Sequence, residues 1–155
     1  MTKGFEFFHG MVFARLVHSV EGRVSIERFP AASNASYVVN GSIGLYIKYC
    51  TKRMTPWRFT FRKEHQSELQ AIKAKLGSVF IVLVCNDDGL VCLAYDELMK
   101  IIENAREPTE WVSATRRPRE MYAVKGSSGP LEFKVGASAF PQKIFASVET
   151  CHEVR

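Results

Sequence analysis

The run Val79 to Cys85, Val-Phe-Ile-Val-Leu-Val-Cys, is apolar at every position and rich in β-branched side chains. A strand with one wet face would alternate with polar residues. An unbroken apolar run is the pattern of a strand covered on both faces. The flanking sequence supplies its neighbours. Glu64 to Leu76 predicts a helix with Leu69, Ile72 and Leu76 inward and Gly77 as its stop. Asp88-Gly89 turns the chain into a strand over Leu90 to Tyr95, and with those two residues as the turn Cys85 lies opposite Cys92. Asp96 is a natural N-cap for a helix to about Ala105.

Upstream, Phe5, Phe8, Val12 and Leu16 fall at helical spacing, widened by Phe13, Val17 and Val20, which predicts a helix over 5–20 with a broad buried face. Val24, Ile26 and Phe29 suggest a strand at 23–29, closed by Pro30. Ser36 to Asn40 and Gly44 to Cys50 read as two strands joined at the hairpin signal Asn40-Gly41. Thr51 to Phe61 shows no clean period, contains Pro56 and mixes basic with aromatic residues, so a loop is expected there. Beyond Pro108, strands are expected over Trp111 to Thr115 and Met121 to Lys125, then a turn at Gly126 to Pro130. Leu131, Phe133 and Val135 then alternate as in a half-exposed strand.

At 46% apolar and 24% charged residues, the 155-residue chain has material for one sizeable core and is not a disordered polymer. The fold class expected is α/β (α+β), a mixed β-sheet flanked by helices with a small C-terminal β element. One domain should cover 1–145, its core at 5–105 and the β extension at 110–145 packed on it, with 146–155 a frayed tail.

Several function classes are excluded. No apolar stretch reaches the ~18 residues of a transmembrane helix. The N-terminal apolar run carries Glu6 and His9 and has no small-residue cleavage site. Cys50, Cys85, Cys92 and Cys151 form neither a CxxC pair nor a zinc-ligand spacing, and the histidines His9, His18, His65 and His152 show none either. Asp87-Asp88 is turn chemistry rather than a metal site. P-loop, Rossmann and GxSxG patterns are missing. A cytoplasmic protein with reduced thiols, no membrane association and no metal or other cofactor is expected.

Lysine inside the hydrophobic strand Gly44 to Cys50 is uncommon, because a buried ammonium needs a partner or water. With the order helix, three strands, helix, strand over residues 5–105, this layout resembles the PD-(D/E)XK nuclease superfamily, the restriction-endonuclease-like fold. The family's lysine ends a Glu-x-Lys or Asp-x-Lys triplet on the third strand, and that place here reads Tyr46-Ile47-Lys48. The family's aspartate should fall around Asn34 to Tyr37, and its first-helix glutamate after His9-Gly10; neither is there. Magnesium-assisted phosphodiester cleavage needs hard oxygen ligands, which a lysine and a neutral phenol do not supply. The resemblance therefore implies a site that has kept its shape and lost its metal, with Lys48 a vestigial catalytic residue. In the alternative, an active endonuclease, Mg²⁺ would be held by displaced carboxylates such as Glu27, Glu64 or Glu68.

Charge adds a second signal. The net charge is +5, and Lys48, Lys52, Arg53, Arg58, Arg62 and Lys63 fall within residues 48–63, which hold no acid. Trp57, Phe59 and Phe61 interleave with them, a mixture suited to phosphate contacts plus base stacking or groove insertion. Arg116, Arg117 and Arg119 form a second basic group on a turn fixed by Pro118. In the resembling family the first region borders the DNA-binding face. The expected partner is nucleic acid, DNA ahead of RNA. The rival is a protein-interaction module gripping a protein partner through the aromatic loop or the terminal β element.

Overall fold

The computed structural model describes residues 4–102 and 108–153, the side chains of 147–153 excepted. Its elements are α1 (Gly4–Ser19), β1 (Ile26–Arg28), β2 (Ser36–Val39), β3 (Ile43–Cys50), β4 (Trp57–Arg62), α2 (Lys63–Leu76), β5 (Val79–Cys85) and β6 (Gly89–Ala94). They continue with α3 (Tyr95–Ile102), β7 (Thr109–Thr115), β8 (Ala123–Gly126), β9 (Gly129–Pro130) and α4 (Ala139–Glu153). No helix among the described residues is long and apolar enough to cross a membrane.

The fold is mixed α+β with two sheets. The first has the order β1-β2-β3-β5-β6: an antiparallel meander through β3, a parallel β3–β5 pair, and an antiparallel β6. Asn40 and Gly41 turn β2 into β3, both with positive φ (52° and 73°), as a tight hairpin of this hand requires. The crossover from β3 to β5 runs through β4 and α2. Gly77, at φ 78°, ends α2 by donating its N–H to the Lys73 carbonyl, so the chain drops directly into β5. Every residue of β5 is buried.

That burial comes from two cores. Over one face of the first sheet, α1 and α4 pack Phe8, Val12, Leu16, Phe140 and Ile144 against Leu45, Ile47, Val82 and Val84. Over the other face, Tyr46, Ile81 and Leu83 meet α2, α3 and the inner face of the second sheet, through Phe59, Phe61, Val112 and Val124. The second sheet has the order β4-β7-β8-β9, all antiparallel.

Five local expectations change. The presumed loop over Thr51–Phe61 contains β4, whose Trp57, Phe59 and Phe61 point inward while Arg58, Thr60 and Arg62 point out. Its hydrogen-bond partner is β7, some fifty residues later. The β5–β6 turn is longer than Asp88-Gly89: Cys85 pairs with Gly89 and Cys92 with Val82, around Asn86 at φ 49°. An odd register shift swaps faces, so Cys85 and Cys92 lie in different cores. Glu97, rather than Asp96, closes the start of α3, accepting the Ala94 N–H at 2.8 Å; the expected end of that helix, Ala105, lies outside the described residues. Leu131 and Phe133 form no strand, only Val135 bridging to Tyr122, and α4 begins at Ala139 and runs through residues expected to fray.

Candidate nucleic-acid interface

Lys48 lies on the face of β3 that looks toward α2 and β4. Its ammonium donates to the Thr60 carbonyl oxygen, lies 3.1 Å from His65 Nδ1 and stands 4.8 Å from the centre of the Phe61 ring. β4 is an end strand of the second sheet, so Lys48 ties the central strand of one sheet to the open edge of the other. Burial and the neighbouring Arg62 push the ammonium down to about 8, against the opposing pull of Glu64 and Glu68. His65 Nδ1 also accepts the Arg62 N–H at 3.0 Å, which leaves that nitrogen unprotonated and the imidazole neutral. Burial, then Lys48, holds its pKa below the ordinary histidine value.

Glu68 is half-buried on α2. One of its oxygens accepts the Ser33 hydroxyl at 2.5 Å and also the Ser36 hydroxyl. Ser36 opens β2, within the interval where the resembling family carries its aspartate, and pairs in register with Tyr46. Burial, then Glu68 and Glu64, raises the Tyr46 phenol, which stays neutral. Two serine hydroxyls thus hold the half-buried carboxylate of Glu68, whose charge the Tyr46 phenol feels. Glu64 is exposed at the start of α2, and Glu27 is exposed on the far edge strand β1. Among the described residues, no group of three or more His, Cys, Asp or Glu side chains could hold a metal ion. Sequence reasoning missed the engagement of His65 and Ser36. The i, i+3 spacing of His65 and Glu68, which puts both on one face of α2, was the available signal.

The sequence-predicted binding residues separate into exposed and engaged groups. Trp57 must be corrected: it is 2% exposed, and its indole N–H donates to the Lys52 carbonyl at 2.9 Å, so the ring belongs to the core and offers no surface for a base. Arg116 is half-buried and engaged within the fold. Its guanidinium pairs with Asp88 at 2.7 Å, donates to the Asp88 carbonyl at 2.8 Å and lies 4.3 Å from the Tyr122 ring. Tyr122 donates to the same carboxylate at 2.5 Å. Arg116 therefore fastens the β5–β6 turn to the second sheet. Lys52, Arg53, Arg58, Arg62 and Lys63 are exposed, as are Arg117 and Arg119. Arg58 sits over Trp111, 4.5 Å from its ring centre. Arg117 lines a shallow cavity of about 370 Å³ with Lys134 and Glu120. A cavity of about 810 Å³ between α1 and α4, lined by Arg15, Glu21 and Phe140, lies across the first sheet from Lys48.

Compared with protein-family models, curated proteins and solved structures, the chain matches none.

Proposed function

We propose that this chain is a nucleic-acid-binding protein built on a restriction-endonuclease-like core, DNA ahead of RNA, with a site that does not cleave. One observation carries the reading. A lysine stands near the end of the third strand of a meander that follows a helix, with a later helix and strand beyond it, the order of the resembling family. Around it Tyr46 takes the place of the triplet's acid and Ser36 falls where the preceding aspartate is expected. Lys48 itself is spent on the Thr60 carbonyl and on His65. The departure from the family order is β4, an added strand that joins the second sheet and sends exposed cations along its outer side.

The chemistry left to such a site is attraction. The exposed cations Lys52, Arg53, Arg62 and Lys63 follow Lys48 in sequence and can meet phosphates. A site without clustered carboxylates has nothing to fix a hydrolytic magnesium ion. The purified protein should bind a short duplex or single strand at low salt and leave both intact with Mg²⁺ or Mn²⁺. Cleavage that disappears in both Lys48→Ala and Glu68→Gln would overturn this and establish the displaced-carboxylate enzyme.

A further inference from the structure

Among the described residues, the outward positions of the second sheet's three longer strands carry positive charge and no acid. Arg58, Thr60 and Arg62 face out from β4, Trp111 and Ser113 from β7, and Lys125 from β8. None of the outward positions on these three strands is acidic; Glu110 points into the core. The register puts Arg58, Ser113 and Lys125 on one line across the sheet. Two strand spacings therefore separate the cations, on the order of 10 Å. Thr60 lies opposite Trp111, and Arg62 one outward position further along. Arg58, Arg62 and Lys125 are exposed, and Trp111 is half-buried beneath the Arg58 guanidinium.

We propose that this face is a platform for single-stranded nucleic acid, one base stacking on the guanidinium that Arg58 holds over Trp111 while phosphates meet Lys125 and Arg62. The proposal rests on the nucleic-acid reading above and specifies its surface and the form of the ligand. A guanidinium carried on an indole is a planar cation anchored on one side, and a planar cation is a stacking partner for an unpaired base. Single strands expose base faces, whereas a duplex keeps them inside its stack and offers a flat sheet only phosphates. The acid-free register line supplies the charge complement to a phosphate chain. Ser113, 7% exposed between the two cations, forms a polar floor.

Fluorescence anisotropy with a labelled oligothymidylate and a labelled duplex separates the outcomes. Arg58→Lys keeps the charge and loses the plane. It should weaken oligothymidylate binding roughly tenfold, as loss of one stacked base does, while barely moving duplex binding. Lys125→Ala should weaken the single strand and reduce its salt dependence. Trp111→Leu should match Arg58→Lys; if it melts early, Arg58→Lys alone decides, since that side chain is exposed. Wild-type binding that Arg58→Lys and Lys125→Ala leave unchanged, but Lys52→Ala with Arg53→Ala abolishes, overturns the platform and keeps the nucleic-acid reading. Wild type that binds neither ligand at low salt overturns both.

Discussion

At the scale of single residues, environment decides what each group can do. Lys48 was legible in the sequence because a lysine in a hydrophobic strand stands out; its acceptor was not, since Thr60 belongs to a strand of another sheet. Glu68 gave a weaker signal, its spacing from His65, because a helix glutamate is ordinarily solvated; the two serines that donate to it set this one apart. Arg116 and Trp57 read as binding residues for the opposite reason: their composition suits phosphates and bases, while their partners, Asp88 and the Lys52 carbonyl, came from the fold. His9 offers a measurable case. It is 3% exposed on the buried face of α1, its Nδ1 2.7 Å from the Tyr37 hydroxyl, and burial pushes its pKa from 6.5 down to about 4. Between those two pH values the unfolded chain takes up a proton that the folded chain refuses, so stability is lost as pH falls through the window. Denaturant unfolding of His9→Gln should show a shallower loss from pH 6.5 to 4.5 than wild type. Equal losses in the two proteins would mean that His9 titrates normally.

Elements were legible where their partners lie nearby along the chain. The helix over Glu64–Leu76, the meander of β1 to β3 and the doubly buried β5 all follow from local pattern and short connections. β4 alternates faultlessly, yet its basic outward residues and Pro56 resemble a solvated loop until β7 is known to lie beside it. The β5–β6 register slipped for a smaller reason: Asn86 takes the left-handed backbone that the turn needs, a position where glycine is the usual signal. Two substitutions test the packing of these elements. Ile81→Ala, in the centre of β5, should destabilise by about 2–5 kcal/mol in denaturant unfolding. A loss under about 1 kcal/mol would show that β5 is peripheral. Gly126→Ala would bring a Cβ to 2.2 Å from the Ile101 carbonyl oxygen, where α3 presses on the second sheet. The helix must shift, and a loss of roughly 1–3 kcal/mol is expected from such overpacking. An unchanged midpoint would place α3 elsewhere.

For the molecule as a whole, the layers set what remains available for function. α1 and α4 cover one face of the first sheet; α2, α3 and the inner face of the second sheet cover the other. The second sheet keeps its outer face in solvent, and with it Arg58, Arg62 and Lys125, while Lys52 and Arg53 extend the positive surface ahead of β4. Charge clustering was visible in the sequence, but its division between an exposed surface and a fastened Arg116 appears only once the two sheets are stacked. The central claim is electrostatic attraction to phosphates, and salt reports it directly. Each phosphate neutralised releases counterions, so on a short duplex the log–log slope of affinity against salt should be about −0.9 per contact. Removing two exposed cations with Lys52→Ala plus Arg53→Ala should flatten it by roughly two units, with little change in stability. The decisive measurement is the anisotropy of a labelled duplex and a labelled single strand across a salt series, with wild type and this double variant side by side. A steep wild-type slope that the variant flattens is the result predicted; no binding of either ligand at low salt, or identical slopes in the two proteins, would contradict the account.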